Sequence, residues 1–149
     1  MTYNFQRKGA ISNAHAGRDF EKLCGTFFES LCLDLTAGFG VPIGYSAKKI
    51  HKFDFGSKKP AVLMECRSNT WTEGGKSPSA KIRGINETML HFHLASKRYR
   101  KMLVMLKHAH PTRSITLAAY YISTQRHLIP NGVEIWEFDL DTLKGGRLH

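Results

Sequence analysis

Met102 to Leu106 is an apolar run without a polar interruption. A strand made of it would carry apolar side chains on both faces, so it must lie inside a sheet covered on both sides. Ile115 to Ile122 reads as a second run of the same kind. Two amphipathic segments are available as the covering layers. From Gly17 to Ala37 the residues Phe20, Leu23, Cys24, Phe27, Phe28, Leu31 and Leu35 recur at three and four, which predicts a helix with one buried face, ended by Gly38 and Gly40. Ser79 is the expected N-cap of a second helix reaching about Ser96, with Ile82, Ile85, Met89 and Phe92 as its buried stripe. Lys97, Arg98, Arg100 and Lys101 crowd the end of that helix, where cations complement its dipole.

The remaining strands are expected at Val41 to Ser46, in a hairpin of Ile50 to Gly56 with Ala61 to Arg67, and at Val133 to Phe138 after a Pro130, Asn131, Gly132 turn. Ser68 to Pro78 reads as a polar loop, and the tail from Lys144 as frayed. The order is helix, three strands, helix, two or three strands. At 149 residues this is one α/β domain, residues 1–149 with a core of about 17–140, long enough to bury its own core.

The chemistry of the chain gathers in the hairpin. Successive strand side chains alternate faces, so Glu65 and Arg67 point one way and Cys66 the other. If the turn lies in Ser57 to Pro60 and Asp54 falls opposite Glu65, their Cβ atoms stand about 4.5 to 5.5 Å apart. One cation can then touch both. Phe53, Phe55, Val62 and Met64 would cover the opposite, apolar face. A one-residue slip would separate the carboxylates. The competing reading makes them surface partners of Lys49, Lys52 or Lys58, but an unpaired charge in an apolar strand is costly, which favours ligation.

With 22 Lys and Arg against 12 Asp and Glu, the net charge is +10, and polyanions are the natural partners. Cys24, Cys32 and Cys66 lie in apolar runs without metal-ligand spacing and read as reduced core thiols. No stretch approaches the roughly 18 apolar residues of a membrane span, and the opening Met1 to Arg7 is not a secretory leader, so a soluble, cytoplasmic protein is expected. Of the histidines, His91 and His93 are two apart on a helix and do not share a face, while His108 and His110 precede Pro111 as solvated loop residues. Neither pair makes a convincing zinc site.

A helix, a hairpin bearing Asp and then Glu-x-basic, a helix and a strand form the layout of the PD-(D/E)xK nuclease superfamily, and residues 17 to 107 resemble it. The resemblance implies a restriction-endonuclease-like mixed sheet of about five strands flanked by two main helices. It places the family's first acidic residue on Asp54, the second on Glu65 and the basic residue on Arg67. Gly17, Arg18, Asp19, Phe20 and Glu21 look similar to the family's first-helix stretch, which adds Glu21. Phe53 replaces a usual proline, and Arg67 replaces a usual lysine.

The implied activity is a Mg²⁺-dependent DNA endonuclease, with Mn²⁺ as a substitute ion. Asp54, Glu65 and the main-chain carbonyl of Cys66 would be its metal ligands. Arg67 cannot act as a general base, because its guanidinium stays protonated. Its role would be to stabilise negative charge on the phosphate. Glu21 would bind a second cation or orient Arg67. Asn69, Thr70, Trp71, Lys76, Ser79 and Lys81 are expected to touch nucleic acid from a loop made flexible by Gly74 and Gly75, with Arg98 and Lys101 as further backbone contacts. Trp71 offers a stacking face, whereas Trp136 reads as core. A homodimer follows by family analogy if both strands are cut. The residues do not separate DNA from RNA, and a DNA-binding module that has lost catalysis, marked by Arg67, is the alternative.

Overall fold

The computed structural model describes residues 10–149, with side chains from Gly17 onward; Met1 to Arg7, read above as no leader, lie outside the described residues. The elements run α1 (Ala10–Ser30), β1 (Thr36–Ile43), β2 (Lys49–Lys58), β3 (Ala61–Arg67), α2 (Ser79–Leu94), β4 (Arg100–Leu106), α3 (Leu117–Gln125), a 3₁₀ turn (Arg126–Leu128), β5 (Glu134–Asp139) and β6 (Lys144–Arg147). All six strands form one sheet in chain order. β1, β2 and β3 are antiparallel, β3, β4 and β5 are parallel, and β6 returns antiparallel to β5. The fold is therefore mixed α/β, with six strands and three α-helices among the described residues where about five strands and two main helices were expected.

Strand alternation distributes the core over two faces. Phe53, Leu63, Leu103, Met105 and Ile135 pack under α2 and α3, which contribute Ile85, Met89, Phe92, Leu117 and Tyr121. Val62, Met64, Cys66, Met102, Val104 and Phe138 pack under α1, against Phe20, Cys24 and Phe28. Burying each large apolar side chain contributes on the order of 1.5–3 kcal/mol. The all-apolar Met102–Leu106 is covered on both sides, as its composition requires.

Several boundaries differ from the expectation. α1 stops at Ser30, not near Ala37. Cys32 adopts a left-handed φ of 66°, its N–H donates to the Glu29 carbonyl, and the Leu33 N–H reaches back to that of Phe28 at 3.3 Å. This closure satisfies the last helical carbonyls and leaves Cys32 exposed instead of in the core. Gly38 and Gly40 lie within β1 and do not end the helix. Pro78, not Ser79, occupies the N-cap of α2, without a side-chain bond.

Ile115 to Ile122, expected as a strand, instead supplies most of α3. The Thr116 hydroxyl accepts from the Ala119 N–H at 3.2 Å and caps this helix. Parallel β4 and β5 require a crossover, and a helix provides it. Lys144 to Arg147 is not a frayed tail. It pairs with Trp136 to Asp139 as β6, and Phe27 lies over Gly145, where a Cβ would stand 2.9 Å from the ring.

Candidate metal and nucleic-acid site

The hairpin has the expected register: β2 pairs with β3 from Lys58↔Ala61 to Phe55↔Met64, and the next step would oppose Asp54 to Glu65. There the ladder opens. Between β1 and β2 the pairs Ala37↔Phe55 and Phe39↔Phe53 flank Gly38 and Asp54, and Gly38 has φ 62°. Phe55 and Phe53 consequently leave on opposite sides of the sheet, contrary to the expectation that both cover one face. Phe55 packs on α1 over Gly25, and Phe53 stacks on Phe92 at 5.5 Å beneath α2. Asp54, at the break, turns its carboxylate back to the neighbouring strand, and its Oδ2 accepts the Cys66 N–H at 2.8 Å. A side chain thus takes the place of a ladder carbonyl.

Glu65 follows Leu63 onto the α2 side, only 8 % exposed. Its carboxyl shares a hydrogen bond with Asp54. Burial first, then that hydrogen bond and the Asp54 charge, push Glu65 well above the usual carboxylate range, against a smaller opposing effect of Arg67. Half-buried Glu21 is also raised, by burial and then by Asp54, with Arg18 and Arg67 opposing. Asp54, Glu65, Arg67 and Glu21 therefore share one locality, around the C-terminal end of β3.

Arg67 shares the face of Glu65, as parity predicts, but its Nη2 is committed to α2. It donates to the Thr88 hydroxyl at 2.6 Å and to the Gly84 carbonyl at 3.5 Å, while its buried Nε has no partner. The sequence reading missed both Thr88 and His51. His51 Nε2 lies 3.3 Å from Glu65 Oε1. In a regular strand, positions 51 and 54 face opposite ways. Only the break at Asp54 lets His51 and Asp54 approach the same glutamate.

Two carboxylates side by side, one of them buried, are hard oxygen donors of the kind a divalent ion takes. The Cys66 main chain is at hand through its N–H bond to Asp54. Among the described residues no group of three or more His, Cys, Asp or Glu side chains is placed to hold a metal ion, so any cation here would rest on two side-chain carboxylates with main-chain or water oxygens.

The expected nucleic-acid residues are divided by the fold. Lys76, Ser79 and Lys81 are exposed, and Asn69 and Thr70 are half-buried, on the segment that follows β3. Trp71 presents no stacking face, because it is 1 % exposed, tilted against Tyr120, with Arg113 4.4 Å above its ring. The loop is also not free to close about Gly74 and Gly75. Gly75 is buried, its carbonyl accepts from Arg113 at 2.6 Å, and His110 Nε2 donates to the Glu73 carbonyl at 2.8 Å. The Trp71 N–H donates to His108 Nδ1 at 3.1 Å. His108 and His110 are therefore tethers between loops, not solvated residues.

Lys101 stands at the start of β4 beside Leu63, and its ammonium donates to the Ala95 carbonyl at 3.2 Å. It lines a cavity of about 660 Å³ with His93, Lys97 and Tyr99, while Asp54, Glu65 and Arg67 do not. Exposed Arg98 lies over the Tyr99 ring nearby. These cations belong to the end of α2, away from the carboxylates. No helix among the described residues is long and apolar enough to cross a membrane. Neither a protein-family model, nor a curated protein, nor a solved structure matches the chain.

Proposed function

We propose that this chain is a divalent-metal-dependent nuclease of the restriction-endonuclease-like kind, hydrolysing phosphodiester bonds of DNA. One observation carries the reading: Glu65, in a strand covered by core, lies beside a second carboxylate, and among the described residues it forms no ion pair with a lysine or arginine. A structural carboxylate is placed to find positive partners, whereas a metal ligand is placed to repel another ligand until the ion arrives. The order of α1, the three antiparallel strands, α2 and β4 supports the same reading.

A bound Mg²⁺ would supply the activated water and the counter-charge for the phosphate. Asp54 and Glu65 would hold it, with Asp54 fixed in orientation by the Cys66 N–H. Arg67, tied to Thr88, places a permanent positive charge beside the carboxylates and lowers the cost of an approaching phosphate. Glu21 balances Arg67 from α1. Exposed Lys76 and Lys81 supply backbone contacts on the strand-exit side, in keeping with the net charge of +10. A cytoplasmic homodimer cutting both strands completes the proposal.

Plasmid nicking tests it. Cleavage that requires Mg²⁺ and disappears in Asp54→Asn and Glu65→Gln is the expected result. A second reading, a DNA-binding module without catalysis, is favoured by the engagement of Arg67 Nη2 with Thr88 and Gly84. Salt-sensitive binding with no cleavage at any metal concentration would select it.

A further inference from the structure

We propose that the cavity between the end of α2 and the turn before β5 is a nucleotide site, with a terminal phosphate on Lys97 and Lys101 and the base in the apolar groove beside them. Asp54, Glu65 and Arg67 do not line it, so it binds whether or not they catalyse.

The cavity measures about 660 Å³, within the roughly 300–1,000 Å³ of small-ligand sites. Its charge is one-sided. His93, Lys97 and Lys101 line it beside Tyr99 and Asn131, and no acidic residue does. His91 lies against His51, and His93, two residues further along α2, faces elsewhere and reaches the cavity.

Cations at a helix end often do no more than complement its dipole. Here Arg100, in the same stretch, is paired with Glu134, whereas among the described residues neither Lys97 nor Lys101 forms an ion pair. The Lys101 ammonium donates to the Ala95 carbonyl at 3.2 Å. An ammonium carries several donors, so that bond fixes Lys101 without exhausting it. Burial first, then the Lys97 charge, lower the Lys101 pKa. Two mutually repelling cations over a hollow without a carboxylate are matched by a phosphate monoester, whose charge approaches −2.

A second hollow of about 340 Å³ shares His93, Ile129 and Pro130 with the first and adds Leu90, Leu128 and His127. Leu90 and Leu128 are 46 % and 43 % exposed, so a bound ring would cover them. Apolar side chains mixed with two imidazoles suit the flat faces and polar edge of a nucleobase better than an acyl chain.

The test is calorimetry of the full chain with the nucleoside 5′-monophosphates, ribose 5-phosphate, inorganic phosphate, decyl phosphate, and an oligonucleotide with and without a 5′-phosphate. Wild type is compared with Lys97→Gln, Lys101→Gln and Leu90→Ala. Lys22→Gln, at an exposed position of α1 on the other face of the sheet, removes the same charge elsewhere. A nucleotide or the phosphorylated oligonucleotide should bind at least about tenfold tighter than ribose 5-phosphate. Lys97→Gln and Lys101→Gln should each weaken it about tenfold, and Lys22→Gln should not. Leu90→Ala should weaken the nucleotide and leave ribose 5-phosphate unchanged. Lys97 is exposed, so an unstable Lys101 variant leaves the comparison intact.

Binding of free nucleotides assigns the site to a small molecule, binding of the phosphorylated oligonucleotide alone assigns it to a strand end, and either supports the proposal. Losses equal to that of Lys22→Gln, or none, in the Lys97 and Lys101 variants mean diffuse charge and overturn it. So does equal binding of the unphosphorylated oligonucleotide, ribose 5-phosphate or inorganic phosphate. Tighter binding of decyl phosphate, or no binding at millimolar concentration, overturns it as well.

Discussion

Glu65 and Glu134 lie on strands of one sheet and are almost equally buried, at 8 % and 5 % exposure, yet their surroundings are opposite. Glu134 is fully answered. Arg100 donates to it through Nε and Nη2, Trp136 Nε1 donates at 3.1 Å, and Arg147 approaches at 3.4 Å. Burial alone would raise its pKa, but the bonds from Arg100 and Trp136 and the charges of Arg100 and Arg147 outweigh that and lower it. Glu65 has a carboxylate and an imidazole as its neighbours, and its pKa is raised. Burial costs both glutamates hydration and by itself raises both pKa values. At Glu134 the fold supplies the compensation itself, and at Glu65 the neighbouring Asp54 adds to the cost.

The largest expected effect separates the two on function. Asp54→Asn and Glu65→Gln should each lower metal-dependent nicking by about a thousandfold or more, the scale expected for losing a metal-bound nucleophile. Glu134→Gln should leave the activity of the folded fraction unchanged. A comparable loss from Glu134→Gln would erase the distinction.

Stability should sort them the other way. Arg100→Ala leaves a buried carboxylate short of its main partner and should cost roughly 3 kcal/mol in urea unfolding. Glu65→Gln should be neutral or stabilising without metal, because it removes one of two opposed carboxylates.

pH sharpens the same contrast. The Glu65 pKa is raised on folding, so its contribution is complete below the ordinary carboxylate range and is lost as pH rises through the folded value. The Glu134 pKa is lowered, so its contribution is present above that range and is lost as pH falls through the folded value. Melting temperature should therefore fall as pH rises from the ordinary carboxylate range towards about 9, a slope that Glu65→Gln flattens, and should fall at acid pH in a slope that Glu134→Gln flattens. Added Mn²⁺ or Mg²⁺ should oppose the decline towards alkaline pH, since an ion held by the carboxylates would favour their ionised form.

The smallest effects concern Arg67. Thr88→Val removes its best hydrogen bond and should cost about 1 kcal/mol. Arg67→Lys should keep or raise nicking, and complete loss would show that the guanidinium has a task an ammonium cannot perform.

Much of this arrangement was legible along the chain. Alternation in Ala61 to Arg67 set Glu65 and Arg67 on one face, and the Ile82, Ile85, Met89, Phe92 spacing gave the buried side of α2. These patterns are local, repeating every two or about 3.6 residues, so neighbours in sequence report them. Ile115 to Ile122 was ambiguous because a short apolar run suits a buried strand or a buried helix, and the parallel pairing of β4 with β5 decided it. Trp71 is buried by Arg113 and Tyr120, and β6 is held by β5 and Phe27. Those partners are distant in sequence, and no local spacing announces them.

By itself the sequence determined a covered α/β sheet and a pair of carboxylates on adjoining strands, because strand and helix periods are properties of short segments. Only the tertiary structure decided which side each aromatic ring beside Asp54 would take, which loops would be tethered, and that His51 would face Glu65. Those outcomes depend on where the β1–β2 ladder breaks and on what α1 and α2 press against it.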